Sequence, residues 1–172
     1  MYAYCGNNPI MLTDETGASW WGEIWSAICT FLLNLHNDIQ NFDINNSDPQ
    51  KVIESNYFSA YRGQLVFKSS LLDNSGFSFG IMIIGENVTS HDLIRHEYGH
   101  FLQLIEMGVA NYAIDVVAPS ITAFILEKQN KLIYPYLGLS WEYDASKRGG
   151  DTRIDKIKSV YYLTYLDLLK MF

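Results

Sequence analysis

A chain of 172 residues, 48% hydrophobic and 15% aromatic, is long enough for one domain with a real core and too rich in Tyr and Phe to belong to the disordered class. Its net charge of −7 offers no basic stripe to displace counterions from a polyphosphate, which argues against a nucleic-acid partner, whereas an acidic field favours cationic ligands such as a metal ion. Cys5 and Cys29 permit one disulfide at most and do not have the spacing of a metal-binding pair.

The first seventeen residues, MYAYCGNNPIMLTDETG, are turn chemistry around short extended pieces rather than the opening of a domain. Tyr2, Tyr4, Asn7, Asn8 and Pro9, followed by Asp14 and Gly17, resemble the motif that closes the core of RHS/YD-repeat proteins, Tyr-x-Tyr-x-x-Asn-Asn-Pro and then Asp-x-x-Gly. The resemblance implies that residues 1–17 are a remnant of that core and that 18–172 form one variable C-terminal domain of the toxin type. The partners it implies are the β-shell of a parent chain and an immunity protein. No basic segment followed by an apolar one marks a signal peptide, so the expected route is secretion or delivery into a target cell as part of a larger bacterial protein.

From Ser19 to Ile39, Trp21, Ile24, Ile28, Leu32 and Leu35 recur at helical spacing, the pattern of an amphipathic packing helix. A polar connection over Asn41–Pro49 follows. Two β-like runs, Gln64–Ser69 and Phe77–Ile84, flank Asp73-Asn74-Ser75-Gly76 in the grammar of a hairpin or meander. The next helix has Thr89 or Ser90 as its cap, His91 and Asp92 in its first turn and Gly108 as its stop. Val109–Leu126 is apolar but contains Asp115 and Pro119, which reads as a buried, kinked core helix rather than a membrane span. A further helix over Trp141–Arg148 ends at Gly149-Gly150, and the tail from Ile154 onward reads as another amphipathic helix.

His96-Glu97-Tyr98-Gly99-His100 is an H-E-x-x-H motif. Residues four apart share a helix face, so both imidazoles can reach one ion, while Glu97 is rotated away and can act on a water as general base. A zinc ion held by two such nitrogens needs a third protein ligand and keeps an open position for water. By spacing alone Glu142 and Asp144 compete for the third place, with Asp115 and Glu127 behind them. Gly99 beside His100 leaves room for another element to pack closely. Gln103, one turn on, can hydrogen-bond near the site or be a plain surface amide. His91 could polarise a substrate carbonyl but reads rather as a solvated first-turn histidine, and His36, at a polar helix end, carries no role. Arg153 and the Tyr161–Tyr162 pair are candidates to stabilise an oxyanion, with nothing in sequence to place them.

The run HEYGHFLQ, then Pro119-Ser120, then WEYDASKRGG is similar to zincin-like metallopeptidase domains found at RHS tails, whose pattern is H-E-Y-G-H-x-x-Q … P-S … E-x-x-A-[DN]-x-x-G-G. The match spans residues 76 to 150. It implies a gluzincin-like centre with Glu142 as the third ligand beside His96 and His100 on Zn2+; Glu97 is the catalytic candidate, and Gln103, Asp144 and Ser146 are candidates to orient the ligands. Ser146 departs from the family's acid or amide at that place, which bears on metal affinity. The expected fold is α+β and zincin-like, a small, mostly antiparallel sheet packed by helices that include the H-E-x-x-H helix. The expected activity is zinc-dependent peptide-bond hydrolysis on a peptide or protein substrate. The rival readings are an inactive binding module of the same fold and a membrane-active toxin using the Trp20–Leu35 and Val109–Leu126 segments.

Overall fold

The computed structural model describes residues 19–171; the motif over residues 1–17, with Cys5, lies outside them. The chain divides into two compact units, Met1–Phe42 and Asp43–Phe172. The described part of the first contains helix α1 (Ser19–Gln40), within one residue of the expected span.

The second unit is α+β. Its sheet has four strands, β1 (Phe58–Tyr61), β2 (Gln64–Ser69), β3 (Gly76–Phe79) and β4 (Ile81–Gly85), in the order β1-β2-β4-β3. The outer pairings are antiparallel and the central β2–β4 pairing is parallel, so the sheet is mixed. Two expectations change here. Phe77–Ile84 is two strands rather than one, because Gly80 at φ +77° reverses the chain and pairs Phe79 with Ile81. The Asp73–Gly76 stretch is not a hairpin turn: it carries the chain past the place of β4 to the outer edge, and β4 then returns to lie parallel to β2. A glycine inside a strand-like apolar run is the sequence mark of such a bend. β1 and the short helix α2 (Pro49–Glu54), capped by Asp48, were not foreseen.

Helix α3 (His91–Met107) begins where Ser90 Oγ accepts from the Leu93 amide and stops at Gly108, φ +75°. Its Ile94 and Tyr98 pack on Val52, Tyr61, Val66, Met82, Ile84 and Val88, which joins the helix to one face of the sheet. Helices α4 (Val109–Tyr112) and α5 (Ala118–Lys128) form one run through a widened π-turn, Ala113–Val117. Pro119 has no N–H to offer the Asp115 carbonyl one turn back, and the widened turn absorbs that gap. By length and composition Val109–Lys128 could cross a membrane, but in this fold Tyr112, Val116, Ala123 and Leu126 enter a second core with Leu139, Trp141 and Leu168, while Ile114, Ile121 and Phe124 are exposed. The expected buried helix is therefore buried on one face only.

Helix α6 (Ser140–Gly149) lies against α3, and Gly150 at φ +79° ends it. The tail is not the continuous helix expected: a 3₁₀ turn (Thr152–Lys156) and an extended stretch precede the short helix α7 (Tyr165–Leu169). The backbone of Tyr161 is held by Gly138 and Ser140 instead of by its own segment, and Thr164 and Asp167 form the capping box that opens α7.

Two glycines set the α3–α6 contact. A Cβ on Gly99 would sit 1.8 Å from the Ala145 carbonyl oxygen, and one on Gly149 would sit 1.7 Å from that of Arg95. The close approach expected at Gly99 is thus present, with a reciprocal glycine on α6. Gly99→Ala or Gly149→Ala should force the helices apart and cost about 3 kcal/mol or more in denaturant unfolding, the upper range for overpacking. A loss under about 1 kcal/mol would contradict the backbone contact.

Candidate metal centre

His96 and His100 leave the same face of α3, with ring centroids 4.7 Å apart and planes nearly perpendicular. The close crossing brings Glu142, in the first turn of α6, directly opposite. Its Oε2 lies 3.1 Å from His96 Nε2 and 3.2 Å from His100 Nε2. All three side chains are buried, and together they form a group that could hold a metal ion.

The remaining polar atoms of this group are engaged from outside. Glu142 Oε1 accepts from Ser120 Oγ at 2.5 Å, and the Tyr136 phenol hydrogen-bonds with both. His100 Nδ1 lies 2.9 Å from Gln103 Oε1, while Gln103 Nε2 donates to the Trp141 carbonyl and to Asp144 Oδ2, each at 2.9 Å. With its nitrogen committed as donor, the Gln103 amide can offer His100 only its oxygen. His100 Nδ1 therefore carries a hydrogen, and in the neutral ring Nε2 presents its lone pair towards Glu142. His96 Nδ1 lies 2.7 Å from Ser146 Oγ.

Glu97 lines a cavity of about 270 Å³ with His96 and His100; its other walls include Gly76 and Phe77 of β3, Phe124 of α5, and Arg153. Gly76 makes space for the carboxylate arm, because a Cβ there would come within 2.8 Å of Glu97 Cγ. Burial raises the Glu97 pKa above the usual carboxylate value, and the two histidines pull against that rise. Burial also works to raise Glu142, but His100 and His96 hold it well below its ordinary value. For His100 burial favours the neutral ring, yet the Glu142 carboxylate overrides it and raises the pKa to about 9. The Glu142 carboxylate thus favours a proton on His100.

His96, Glu97, His100, Glu142, Gln103 and Ser146 thus lie together. Asp144, the rival ligand, instead bonds Gln103 and Arg148. Asp115 is exposed on the π-turn, and Glu127 lines the cavity without joining the group. His91 pairs with Gln50 Oε1. Of the oxyanion candidates Arg153 reaches the cavity, whereas Tyr161 stacks on Tyr134 and Tyr162 is 84% exposed. The phenols at the site are Tyr112, whose hydroxyl donates to the Ser78 carbonyl at 2.9 Å, and Tyr136. Neither was singled out, since in sequence they are two aromatics among twelve tyrosines. Asp151, bonded to Ser146, was missed as well.

The pKa shifts give a signed pH dependence. A histidine raised from 6.5 to about 9 stabilises the fold fully below 6.5, and that contribution disappears as pH rises through about 9. The depressed Glu142 contributes above its ordinary 4.5 and is lost only in stronger acid. The thermal midpoint of chelated protein should accordingly fall as pH rises from 6.5 to 9; a midpoint rising over that range would contradict the pairing.

The chain matches no family model, no curated protein and no solved structure.

Proposed function

We propose that this chain is a zinc-dependent peptidase of the gluzincin type, in which His96, His100 and Glu142 hold the ion and Glu97 is the general base. The observation that carries the reading is the convergence of two imidazole nitrogens on one carboxylate oxygen, buried, with a second carboxylate beside them in a cavity. Two histidines and a glutamate are the donor set of one class of catalytic zinc site. Zinc–ligand bonds of about 2.0–2.1 Å make the edge of a tetrahedron about 3.4 Å, and the 3.1 and 3.2 Å separations lie close to that edge. The outer hydrogen bonds on both imidazoles and on Glu142 are what a ligand set needs to keep its orientation.

When bound, the ion would acidify a water and polarise the scissile carbonyl. Glu97, placed over Gly76 and raised by burial, takes the proton of the attacking water and returns it to the leaving amine. Arg153 faces the same cavity and can donate to a developing oxyanion. The strand β3 is one of the two outer strands of the sheet and borders the cavity, so an extended peptide can lie along it. Action as a toxin-type domain delivered by a larger RHS protein, opposed by an immunity partner, is the biological setting that the motif in residues 1–17 supports.

Protein purified without added metal should carry near one zinc per chain, and His100→Ala and Glu142→Ala much less. Glu97→Gln should keep the zinc while hydrolysis of a peptide library drops by about 10²–10⁴-fold. Zinc without hydrolysis in the wild type would favour the binding module, and no zinc even after it is offered would overturn the reading.

A further inference from the structure

The residue that holds His96 is a serine, and a serine hydroxyl is a weak anchor for a metal ligand. Ser146 Oγ, however, is not the end of its chain of bonds. It lies 3.0 Å from Asp151 Oδ2, while Asp151 Oδ2 itself is 4.0 Å from His96 Nδ1, beyond direct hydrogen-bond reach. An ionised carboxylate only accepts, so the single hydroxyl proton of Ser146 goes to Asp151. The hydroxyl must then accept from His96 Nδ1–H at 2.7 Å, which leaves the Nε2 lone pair of the neutral ring aimed at Glu142.

Asp151 is built into this place. It and Ser146 are both buried. Arg153 grips it through Nε and Nη2, at 2.6 Å for the shortest contact, and Asp151 Oδ1 accepts from the Arg153 amide to cap the 3₁₀ turn. The neighbouring Thr152 bonds Asp92 in the first turn of α3 through both its amide and its hydroxyl, which ties the segment to the helix that carries His96.

We propose that Asp151 is the positioning carboxylate of the metal centre, acting on His96 through the hydroxyl of Ser146 and held by Arg153. The inference rests on the reading that His96, His100 and Glu142 hold zinc. It makes the two histidines equivalent in design: His100 reaches Asp144 through the Gln103 amide, as His96 reaches Asp151 through a hydroxyl. Each carboxylate is paired in turn with an arginine, Arg148 and Arg153.

The test is zinc affinity, measured by competition with a chromophoric chelator, for wild type, Ser146→Ala, Asp151→Asn and the double variant. Removal of a partner of this kind costs about 10–100-fold in metal affinity. Each single variant should weaken binding in that range, and the double variant should be no worse than the weaker single, because the two residues act in series. Thermal midpoints of the chelated variants separate loss of fold from loss of orientation, and Ser146→Ala decides the matter if Asp151→Asn does not fold. Nitrogen-15 NMR of the His96 ring in metal-free protein gives a second readout: the Nδ1–H form should dominate the neutral ring in wild type and lose that dominance in Ser146→Ala. Wild-type affinity in both single variants, or weakening by Ser146→Ala alone while a folded Asp151→Asn binds normally, overturns the relay and leaves the zinc reading standing. Failure of the wild type to bind zinc overturns the zinc reading itself and the relay with it.

Discussion

Two helices can meet backbone to backbone only where neither carries a side chain at the crossing, and α3 and α6 meet in this way at Gly99 and Gly149. The Ala145 carbonyl occupies the place of a Cβ on Gly99, and the Arg95 carbonyl that of a Cβ on Gly149. Everything at the centre depends on this approach. His96 and His100 flank Gly99 on one helix, and Glu142 and Ser146 lie on the other, so the glycine contact sets how far apart the groups are. A larger residue at either position would move Glu142 away from the imidazoles long before it affected the sheet. The same contact buries four polar side chains that would otherwise be solvated, which is unfavourable unless each finds a partner.

The partners are found by directing each polar atom in turn. Glu142 uses one oxygen towards the histidines and the other towards Ser120. Each imidazole turns one nitrogen inward and the other towards a neutral relay, and the relays end on carboxylates paired with arginines. The Glu142 carboxylate draws a proton towards His100. That arrangement couples folding to protonation and leaves the inner nitrogens and Glu142 Oε2 facing one another, so an ion entering the group would take the place of a proton. Glu97 is treated differently. Its burial outweighs the pull of His96, His100 and Arg153 and keeps its proton affinity high, the property a general base needs near neutral pH.

Sequence made some of this plain and concealed the rest for physical reasons. The H-E-x-x-H helix was legible because its period, cap and stop all agree: Ser90 opens it, Gly108 closes it, and His96 and His100 share a face. Gly99 is readable as a place of close approach, but its counterpart Gly149 is marked in sequence only as a helix stop. By spacing Glu142 and Asp144 were equal candidates. They differ because Glu142 sits in the first turn of α6, facing α3, while Asp144 is turned towards Gln103 and Arg148. The sheet is the least legible part of the fold. Phe77–Ile84 is one apolar run by pattern, and only the backbone at Gly80 makes it two strands; the parallel β2–β4 pairing is a long-range event that no local signal announces. Tyr112, Tyr136 and Asp151 reach the site through tertiary packing, and their sequence neighbourhoods carry no mark of it.

The central claim is that His96, His100 and Glu142 converge on one ion, and the most direct measurement is anomalous X-ray diffraction across the zinc absorption edge from crystals of the protein. The account expects a single zinc peak about 2.0–2.1 Å from His96 Nε2, His100 Nε2 and a Glu142 carboxylate oxygen, with Glu97 outside the ligand set. A zinc peak elsewhere with this group empty, or no peak after soaking in zinc, would contradict it.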